Sequence, residues 1–502
     1  MKESLDFIYK EQKELSTFSG ISALLGWDQM TYMPKMGVSE RSEHSALISR
    51  IIHERVVSDK LWKNIEILSK QENFSKLSKK DKLVVSRLRK DVEKARKVPS
   101  DFVEKMTKIT TMSYQAWEEA RDKNEFKIFS PFLEKIIDLE KEYCDFFDIP
   151  GPRYNTLLDD YEEGMTVEKL KNEFSYLKKE LIKILEKIKS CKLFENQKNL
   201  DIKINEDKQK KLSNIIIEKM QLPKERLRID VSTHPFTTSI GYDDVRITTN
   251  YGRENILFSF FATVHEAGHA LYELNMLKDE FKDTVISDSP SLGLHESQSR
   301  FWENMIGRGK PFWKFFYPFF QKESSYLQNN VSFEDWYKSV NQVKPSFIRV
   351  EADELTYCLH VILRFELEAG LMQDKISVKS LPQLWNEKMD EMLGIVPKND
   401  VEGVLQDMHW SGGSIGYFPT YAIGSIYSSQ IFKKITQINN KFNYEIEKGD
   451  FSNCIDWLKE NIHTYGRKFN ADEIIKKSCG EGLNSKVFVD YLKDKYYTLY
   501  EV

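Results

Sequence analysis

Two histidines four residues apart, His265 and His269, enclose a glutamate directly after the first, Glu266. On an α-helix, side chains at this spacing lie on one face. The two imidazoles can then hold a Zn²⁺ ion while the carboxylate of Glu266 activates a zinc-bound water. In a chain with only nine histidines, this arrangement favours metal-assisted peptide hydrolysis over a chance pairing.

The residues around this motif predict a buried helix. The preceding run Ile256–Val264 is almost wholly apolar, and Ala270–Leu274 continues in good helix formers. Gly268 lies inside the motif, where it costs about 1 kcal/mol relative to alanine. A glycine at this position therefore predicts the close approach of a neighbouring backbone.

A third protein ligand is needed, because zinc in a hydrolytic site usually has three protein ligands and a water. Asn275 occupies the position at which an extended motif would carry a third histidine. Three downstream acids compete. Glu296 follows a serine-proline helix start, Glu303 lies about two helical turns further on the same face, and Glu280 falls in a polar loop. Spacing alone does not choose between them.

Composition narrows the class of protein. Hydrophobic residues make up 40% of the 502 residues and charged residues 30%, which is typical of a globular protein. A net charge of −4 gives no basis for binding nucleic acid or an anionic membrane. The five cysteines are scattered without a C-x-x-C pair, and the first residues lack an apolar signal core. These features predict a cytoplasmic protein with free thiols.

Helical periodicity dominates the chain and predicts a single, mainly helical domain over residues 1–502. Its clearest example is an apolar stripe at three- and four-residue spacing, formed by Val167, Leu170, Phe174, Leu177, Leu181, Leu185 and Ile188. Two segments alternate like strands instead, Arg226–Val231 and Asp244–Thr249, with a turn-rich segment between them. They predict a small β-hairpin along one edge of an active-site groove.

Short blocks distributed along the whole chain carry a family resemblance. In chain order they are Leu25–Gln29, Tyr32–Pro34, Leu158–Glu162, His234–Phe236, Asp244–Thr248, His265–His269, His295–Gln298, Ile348–Asp353 and Gly403–Trp410. Together they resemble the thermostable carboxypeptidase (carboxypeptidase Taq) family of zinc metallopeptidases. The collinear order of the blocks makes this resemblance more specific than the metal motif alone.

The resemblance implies a mainly helical, groove-bearing fold with a small β-sheet near the active site, usually as a homodimer. It implies a metallocarboxypeptidase that releases single residues from peptide C-termini with broad specificity. Zinc is the implied metal, with cobalt as a substitute. By position, the ligands are His265, His269 and Glu296, and Glu266 is the general base. His295 then supports the site from beside a ligand.

A histidine, glycine and tyrosine segment over residues 409–421 is similar to the substrate-binding loop of thimet-type peptidases. Tyr417 is the first candidate for stabilising the oxyanion, Tyr421 the second, and His409 a donor to the substrate backbone or carbonyl. The competing interpretation is a glycine turn with aromatic rings packed beneath it.

An exopeptidase must also recognise a free carboxylate, and a guanidinium can bind both of its oxygens. Arg349 and Arg246 are the candidates for this role. Each is equally well explained as the structural partner of a nearby acid, namely Glu351, Asp353 or Asp244.

Two other functions use parts of the same pattern. An oligoendopeptidase or dipeptidyl carboxypeptidase would share the metal site and differ in how it treats the terminal carboxylate. A non-catalytic helical scaffold would have no use for the carboxylate of Glu266. The aromatic run Phe312–Phe320 fits either the core or an interface, and we expect the core.

Overall fold

The computed structural model describes residues 1–197, 200, 202–252, 255–276 and 280–502. Helices form most of this part of the chain, as the apolar periodicity predicts. The helices before the sheet are α1 (Lys2–Thr31), α2 (Val38–Val56), α3 (Asp59–Ser69), α4 (Gln71–Phe74), α5 (Lys79–Lys97), α6 (Ser100–Lys123), α7 (Phe126–Cys144), α8 (Tyr154–Tyr161), α9 (Val167–Lys189), α10 (Lys192–Glu195) and α11 (Glu206–Lys219).

A short sheet follows, and then the second set of helices. The strands are β1 (Leu227–Val231), β2 (Thr237–Gly241) and β3 (Asp244–Thr249). The later helices are α12 (Ile256–Asn275), α13 (Leu292–Arg300), α14 (Lys310–Glu323), α15 (Ser325–Asn330), α16 (Phe333–Val340), α17 (Tyr357–Met372), α18 (Leu381–Leu393), α19 (Pro419–Ile438), α20 (Phe442–Glu447), α21 (Ser452–Asn461), α22 (Ala471–Cys479) and α23 (Ser485–Tyr500). Among the described helices, none is both long and apolar enough to cross a lipid bilayer.

The predicted apolar stripe is the buried face of α9. All seven of its residues are at most 3% exposed, and they belong to the main hydrophobic core. Thr166 begins the helix, because its side chain accepts a hydrogen bond from the backbone N–H of Lys169 at 3.2 Å. The sequence-based interpretation of this helix is confirmed.

The two predicted strands exist, but the predicted hairpin is wrong. β1 pairs with β3 in parallel, with Leu227 opposite Val245, and β2 lies antiparallel on the other side of β3. The segment between β1 and β3, which the sequence predicts as a turn, contains the third strand, β2. Alternating hydrophobicity marks a strand but does not set the direction of its partner. In this sheet the hydroxyl of Thr248 in β3 also contacts the segment between β1 and β2, since it accepts hydrogen bonds from the Ser232 hydroxyl at 2.6 Å and the Phe236 backbone N–H at 3.0 Å.

The main core encloses α12, the helix that carries the histidine motif. Phe260 of α12 contacts the rings of Phe312, Trp313, Phe316 and Phe320 from α14, with centroid distances from 5.0 to 6.2 Å. The aromatic run over residues 312–320 thus lies largely in the core, as expected. A separate, smaller core joins α1, α3 and α5 at the N-terminal end of the chain.

Two glycines allow three helices to approach each other closely beneath the motif. A Cβ on Gly268 of α12 would lie 2.8 Å from the backbone oxygen of Gln298 in α13. A Cβ on Gly424 of α19 would lie 2.7 Å from Cγ of Glu296, also in α13. The close backbone approach predicted at Gly268 is confirmed.

The substitution Gly268→Ala should therefore destabilise the protein, although alanine is the better helix former. We expect a loss of about 1–3 kcal/mol in the free energy of unfolding, because the backbone of α13 must move away. Gly26→Ala is the matched control, since Gly26 lies in α1 with open space around its Cα. The control should stabilise by up to about 1 kcal/mol. Denaturant unfolding measures both, and equal effects would contradict this packing argument.

Candidate metal centre

Helices α12 and α13 bring two imidazoles and one carboxylate to a common point. The Nε2 atoms of His265 and His269 lie 3.5 and 3.4 Å from Oε2 of Glu296. The ligand atoms of the three residues all lie within 4.8 Å of one another. Tetrahedral zinc, with bonds of about 2.0–2.2 Å, separates its ligand atoms by about 3.3 Å. The residues present therefore fit a zinc ion in both donor type and spacing.

Neighbouring charged groups orient these three side chains. Glu303 contacts Nδ1 of His265 through Oε2 at 2.8 Å, so the opposite ring nitrogen faces the common point. Arg300 donates from Nε to Oε1 of Glu296 at 2.7 Å, and Ser299 donates to Oε2 of the same carboxylate at 3.1 Å. Glu303, one of the three acids considered from the sequence, is thus a partner of a ligand in this geometry.

The charges around the centre favour a cation between the three side chains. Burial opposes protonation of His265, yet Glu296 and Glu303 together raise its pKa to about 10. Burial also opposes ionisation of Glu296, but Arg300 and His265 hold its pKa well below the usual range. Two ionised carboxylates thus surround the imidazoles.

Glu266 lies beside this centre and is held by β2. The hydroxyl of Thr237 donates to Oε2 of Glu266 at 2.6 Å and contacts its backbone oxygen at 3.1 Å. Burial raises the pKa of Glu266, and His265 and Thr237 partly offset this shift. A buried, oriented carboxylate next to the metal ligands has the position that a general base requires.

Other acids and histidines named from the sequence take different places. Glu280 is exposed at the surface and is outside the metal-ligand group. His295 contacts Oε1 of Glu273 through Nε2 at 2.7 Å, and its ring stacks on that of His269 with centroids 4.4 Å apart. His234 is exposed. His295 therefore packs against the candidate ligand His269.

A cavity of about 650 Å³ opens beside the candidate ligands. His265, Glu266 and Glu296 line it, together with Arg349 and Tyr421. Further lining residues are Pro235, Phe261, Arg300, Arg308, Val350 and Tyr357. The cavity therefore joins the metal-ligand group to several guanidinium groups, as recognition of an anionic peptide end would need.

The two arginines predicted for substrate binding differ in their surroundings. Arg349 is 5% exposed, lines the cavity, and donates from Nη2 to Asp407 at 2.9 Å and from Nη1 to Tyr357 at 3.2 Å. Arg246 forms a two-point ion pair with Asp244 at 2.8 and 2.9 Å and is not among the residues that line the cavity. Asp407, which is distant in the sequence, is therefore a structural partner of Arg349.

The segment over residues 409–421 places a group of aromatic rings next to the cavity, and Tyr421 lines it. The ring of His409 lies 5.2 Å from that of Tyr417, and Tyr417 lies 5.3 Å from Tyr421. Burial raises the pKa of Tyr417, with a further contribution from Glu296, so its phenol stays a hydrogen-bond donor. Burial lowers the pKa of His409 to about 4, and Arg349 adds to this effect, so its ring is neutral near pH 7.

The fold and this site define a metallopeptidase of the helical His-Glu-x-x-His class. Residues 7–496 match the family described as carboxypeptidase Taq (M32) metallopeptidase. The chain is 37% identical to Carboxypeptidase 1 of Bacillus subtilis over 99% of its own length and 98% of that protein. It is 38% identical to Thermostable carboxypeptidase 1 of Pyrococcus furiosus, with 98% of each chain covered.

Solved structures agree with the sequence comparison. The crystal structure of an M32 carboxypeptidase from Deinococcus radiodurans superimposes with a TM-score of 0.96 at 34% identity, and all of both chains is covered. The protein therefore belongs to the carboxypeptidase Taq (M32) family of metallopeptidases. The predicted fold class, a mainly helical metallopeptidase with a small sheet, is confirmed.

Three residues of the site were not predicted from the sequence. Thr237 lies in the segment predicted as a turn and Asp407 lies in a family block, and both contact residues on other elements, so only the fold reveals their roles. Arg300 contacts Glu296 one helical turn away in α13, and the i, i+4 spacing of these opposite charges is the signal that could have indicated it.

Replacing the three acids one at a time should rank their roles in metal binding. Glu296→Gln should weaken zinc affinity most, because it removes a ligand charge. Glu303→Gln should weaken it about 10–100-fold, since the carboxylate that orients His265 is lost. Glu280→Gln, the exposed control, should leave it unchanged. Competition with a chromophoric chelator measures the three affinities, and a larger loss for Glu303→Gln than for Glu296→Gln would reverse the assignment.

Proposed function

We propose that the protein is a zinc metallocarboxypeptidase that releases single residues from the C-termini of peptides with broad specificity. The observation that carries this proposal is one cavity lined by Glu266, by His265 and Glu296 of the His-His-Glu group, and by the buried Arg349. The names of the relatives, which are carboxypeptidases, support the same activity.

His265, His269 and Glu296 would hold the metal. When bound there, Zn²⁺ would polarise the scissile carbonyl and make water nucleophilic near neutral pH, and Co²⁺ suits the same donor set. The contacts of Glu303 and Arg300 hold the ligands in place before binding. This arrangement lowers the cost of ordering the site.

Glu266 would take the proton from the attacking water and pass it to the leaving amine. Thr237 holds one carboxylate oxygen of Glu266, which leaves the other to face the substrate. Tyr417 and His409 would donate hydrogen bonds to the oxygen that gains charge at the scissile carbonyl. Tyr421, which lines the cavity, would contact the bound peptide.

Arg349 is the favoured partner of the terminal carboxylate. Its guanidinium has five N–H groups, and contacts with Asp407 and Tyr357 account for three of them. The remaining donors can bind a carboxylate in the cavity without breaking these contacts. Arg246, which is paired with Asp244, is the second candidate.

We also propose a cytoplasmic homodimer. The five cysteines form no disulfides, which agrees with a reducing compartment. The end of α1, the connection to α2 and α2 itself expose large apolar side chains, with Met30 50%, Met36 92% and Val38 54% exposed. A second copy of the chain packing on this hairpin would remove that surface from water.

A blocked pentapeptide tests the activity against its alternatives. With a free C-terminus, the purified enzyme should release one residue at a time, and the C-terminal amide of the same peptide should be a poor substrate. Mass spectrometry of the products over time measures how many residues are released from each peptide. Loss of two residues per step would indicate a dipeptidyl carboxypeptidase, and equal cleavage of the amide would indicate an endopeptidase.

Arg349→Gln should remove most of the preference for the free acid, with Arg246→Gln as the matched control.

The role of Glu266 is tested by Glu266→Gln, which keeps the shape of the side chain and removes the base. We expect kcat to fall by about 10²–10⁴-fold, the usual contribution of general base catalysis. Zinc content, measured by atomic emission, should stay at the wild-type level because Glu266 is outside the ligand set. Full activity in this variant would exclude Glu266 as the base.

A further inference from the structure

Helix α17 presents two fully buried ionisable side chains to the segment that carries His409 and Tyr417. Arg364 and Glu368 lie one helical turn apart, and both are 0% exposed. A buried ion is costly unless it is paired and hydrogen-bonded. Apolar side chains would fill the same space at a lower cost, so these two ionisable side chains need an explanation beyond core packing.

Glu368 accepts three hydrogen bonds, and two of them come from the segment over residues 409–417. The indole N–H of Trp410 donates to Oε1 at 2.7 Å, and the backbone N–H of Gly416 donates to Oε2 at 3.0 Å. The third donor is the hydroxyl of Tyr154 in α8, at 2.5 Å from Oε2. One carboxylate thus connects α17, α8 and both ends of this segment.

Arg364 fixes Asp407, two residues before the segment. Its Nε and Nη2 atoms donate to Oδ2 of Asp407 at 2.7 and 2.5 Å. The other oxygen of Asp407 accepts from Arg349, the favoured partner of the terminal carboxylate. Arg364 and Glu368 of α17 therefore hold the chain at three points, namely Asp407, Trp410 and Gly416.

Little freedom remains at the position before Tyr417. Gly416 has φ +91°, which disfavours any other residue, and a Cβ there would lie 3.1 Å from the backbone of Leu157. The ring of Tyr417 packs edge-on against Tyr161 with centroids 5.4 Å apart. A shift of the Gly416 peptide would therefore move Tyr417 with it.

We propose that Glu368 is a positioning residue for peptide hydrolysis, one that fixes the Trp410–Gly416 segment so that Tyr417 and His409 face the scissile carbonyl. This inference rests on the proposed function, because it assigns Tyr417 a donor role. Glu368 itself lies beneath the segment and acts on the reaction only through Tyr417 and His409.

Glu368→Gln tests the role with minimal change in shape. The amide offers one acceptor oxygen where the carboxylate offers two, so an N–H group must face either Trp410 or Gly416. We expect kcat to fall about 10–100-fold, as displaced catalytic groups cause, with KM changed less than about twofold. Glu366→Gln is the control on the same helix, because Glu366 pairs with Lys178 and Lys388 away from the segment. An unchanged kcat for Glu368→Gln, or equal losses for both variants, overturns the inference.

A double-mutant cycle with Tyr417→Phe separates the inference from the proposed function. If Glu368 acts through Tyr417 and His409, the double variant should lose less activity than the product of the two single losses. Losses in kcat that multiply would overturn the positioning role and leave the donor role of Tyr417 standing. If Tyr417→Phe alone keeps full kcat, the donor role fails and the positioning role fails with it.

Tyr154→Phe covers the case in which Glu368→Gln does not fold. It removes one of the three donors to Glu368 and changes no charge. We expect kcat to fall about 2–10-fold, the effect of one hydrogen bond, again without a change in KM. Thermal unfolding verifies that the variant is folded at the assay temperature. A folded Tyr154→Phe enzyme with wild-type kcat overturns the inference.

Discussion

The close contact of three helices is the constraint on which the site depends. The ligand atoms of His265, His269 and Glu296 converge only because α12, α13 and α19 approach at Gly268 and Gly424. A side chain at either glycine would meet the backbone of α13 or the side chain of Glu296 within 3 Å. The metal-ligand spacing is therefore set by backbone packing. Side-chain rotation on a loosely held helix could not maintain distances near 3.4 Å.

The same packing buries several charged side chains close together, and two of the buried acids among them are paired with arginines. Glu296 and Glu303 face Arg300, and Glu303 also lies 3.7 Å from Arg308. Both of these carboxylates thus have a guanidinium partner. These ion pairs keep Glu296 and Glu303 ionised, which a cation site requires. They also limit the electrostatic cost of burying the two acids together.

The sequence predicts what local patterns determine. The helix of His265, the buried face of α9 and the two strands follow from periodicity, and the family blocks indicate the fold. What it does not predict are contacts between distant elements. The parallel pairing of β1 with β3, the hydroxyl of Thr237 on Glu266, and the pairing of Arg349 with Asp407 join residues 18 to 58 positions apart. In the sequence, the residues that make these contacts look like ordinary strand or surface residues.

Asp407 connects two parts of the mechanism that the sequence treats separately. One of its oxygens accepts from Arg349 in the cavity, and the other accepts from Arg364 beneath the segment of His409. In the mechanism that we propose, a substrate carboxylate bound to Arg349 would contact a group held, through Asp407, in the same network as the segment of His409 and Tyr417. Such a link would keep the scissile carbonyl near the proposed oxyanion donors whatever the side chain of the terminal residue.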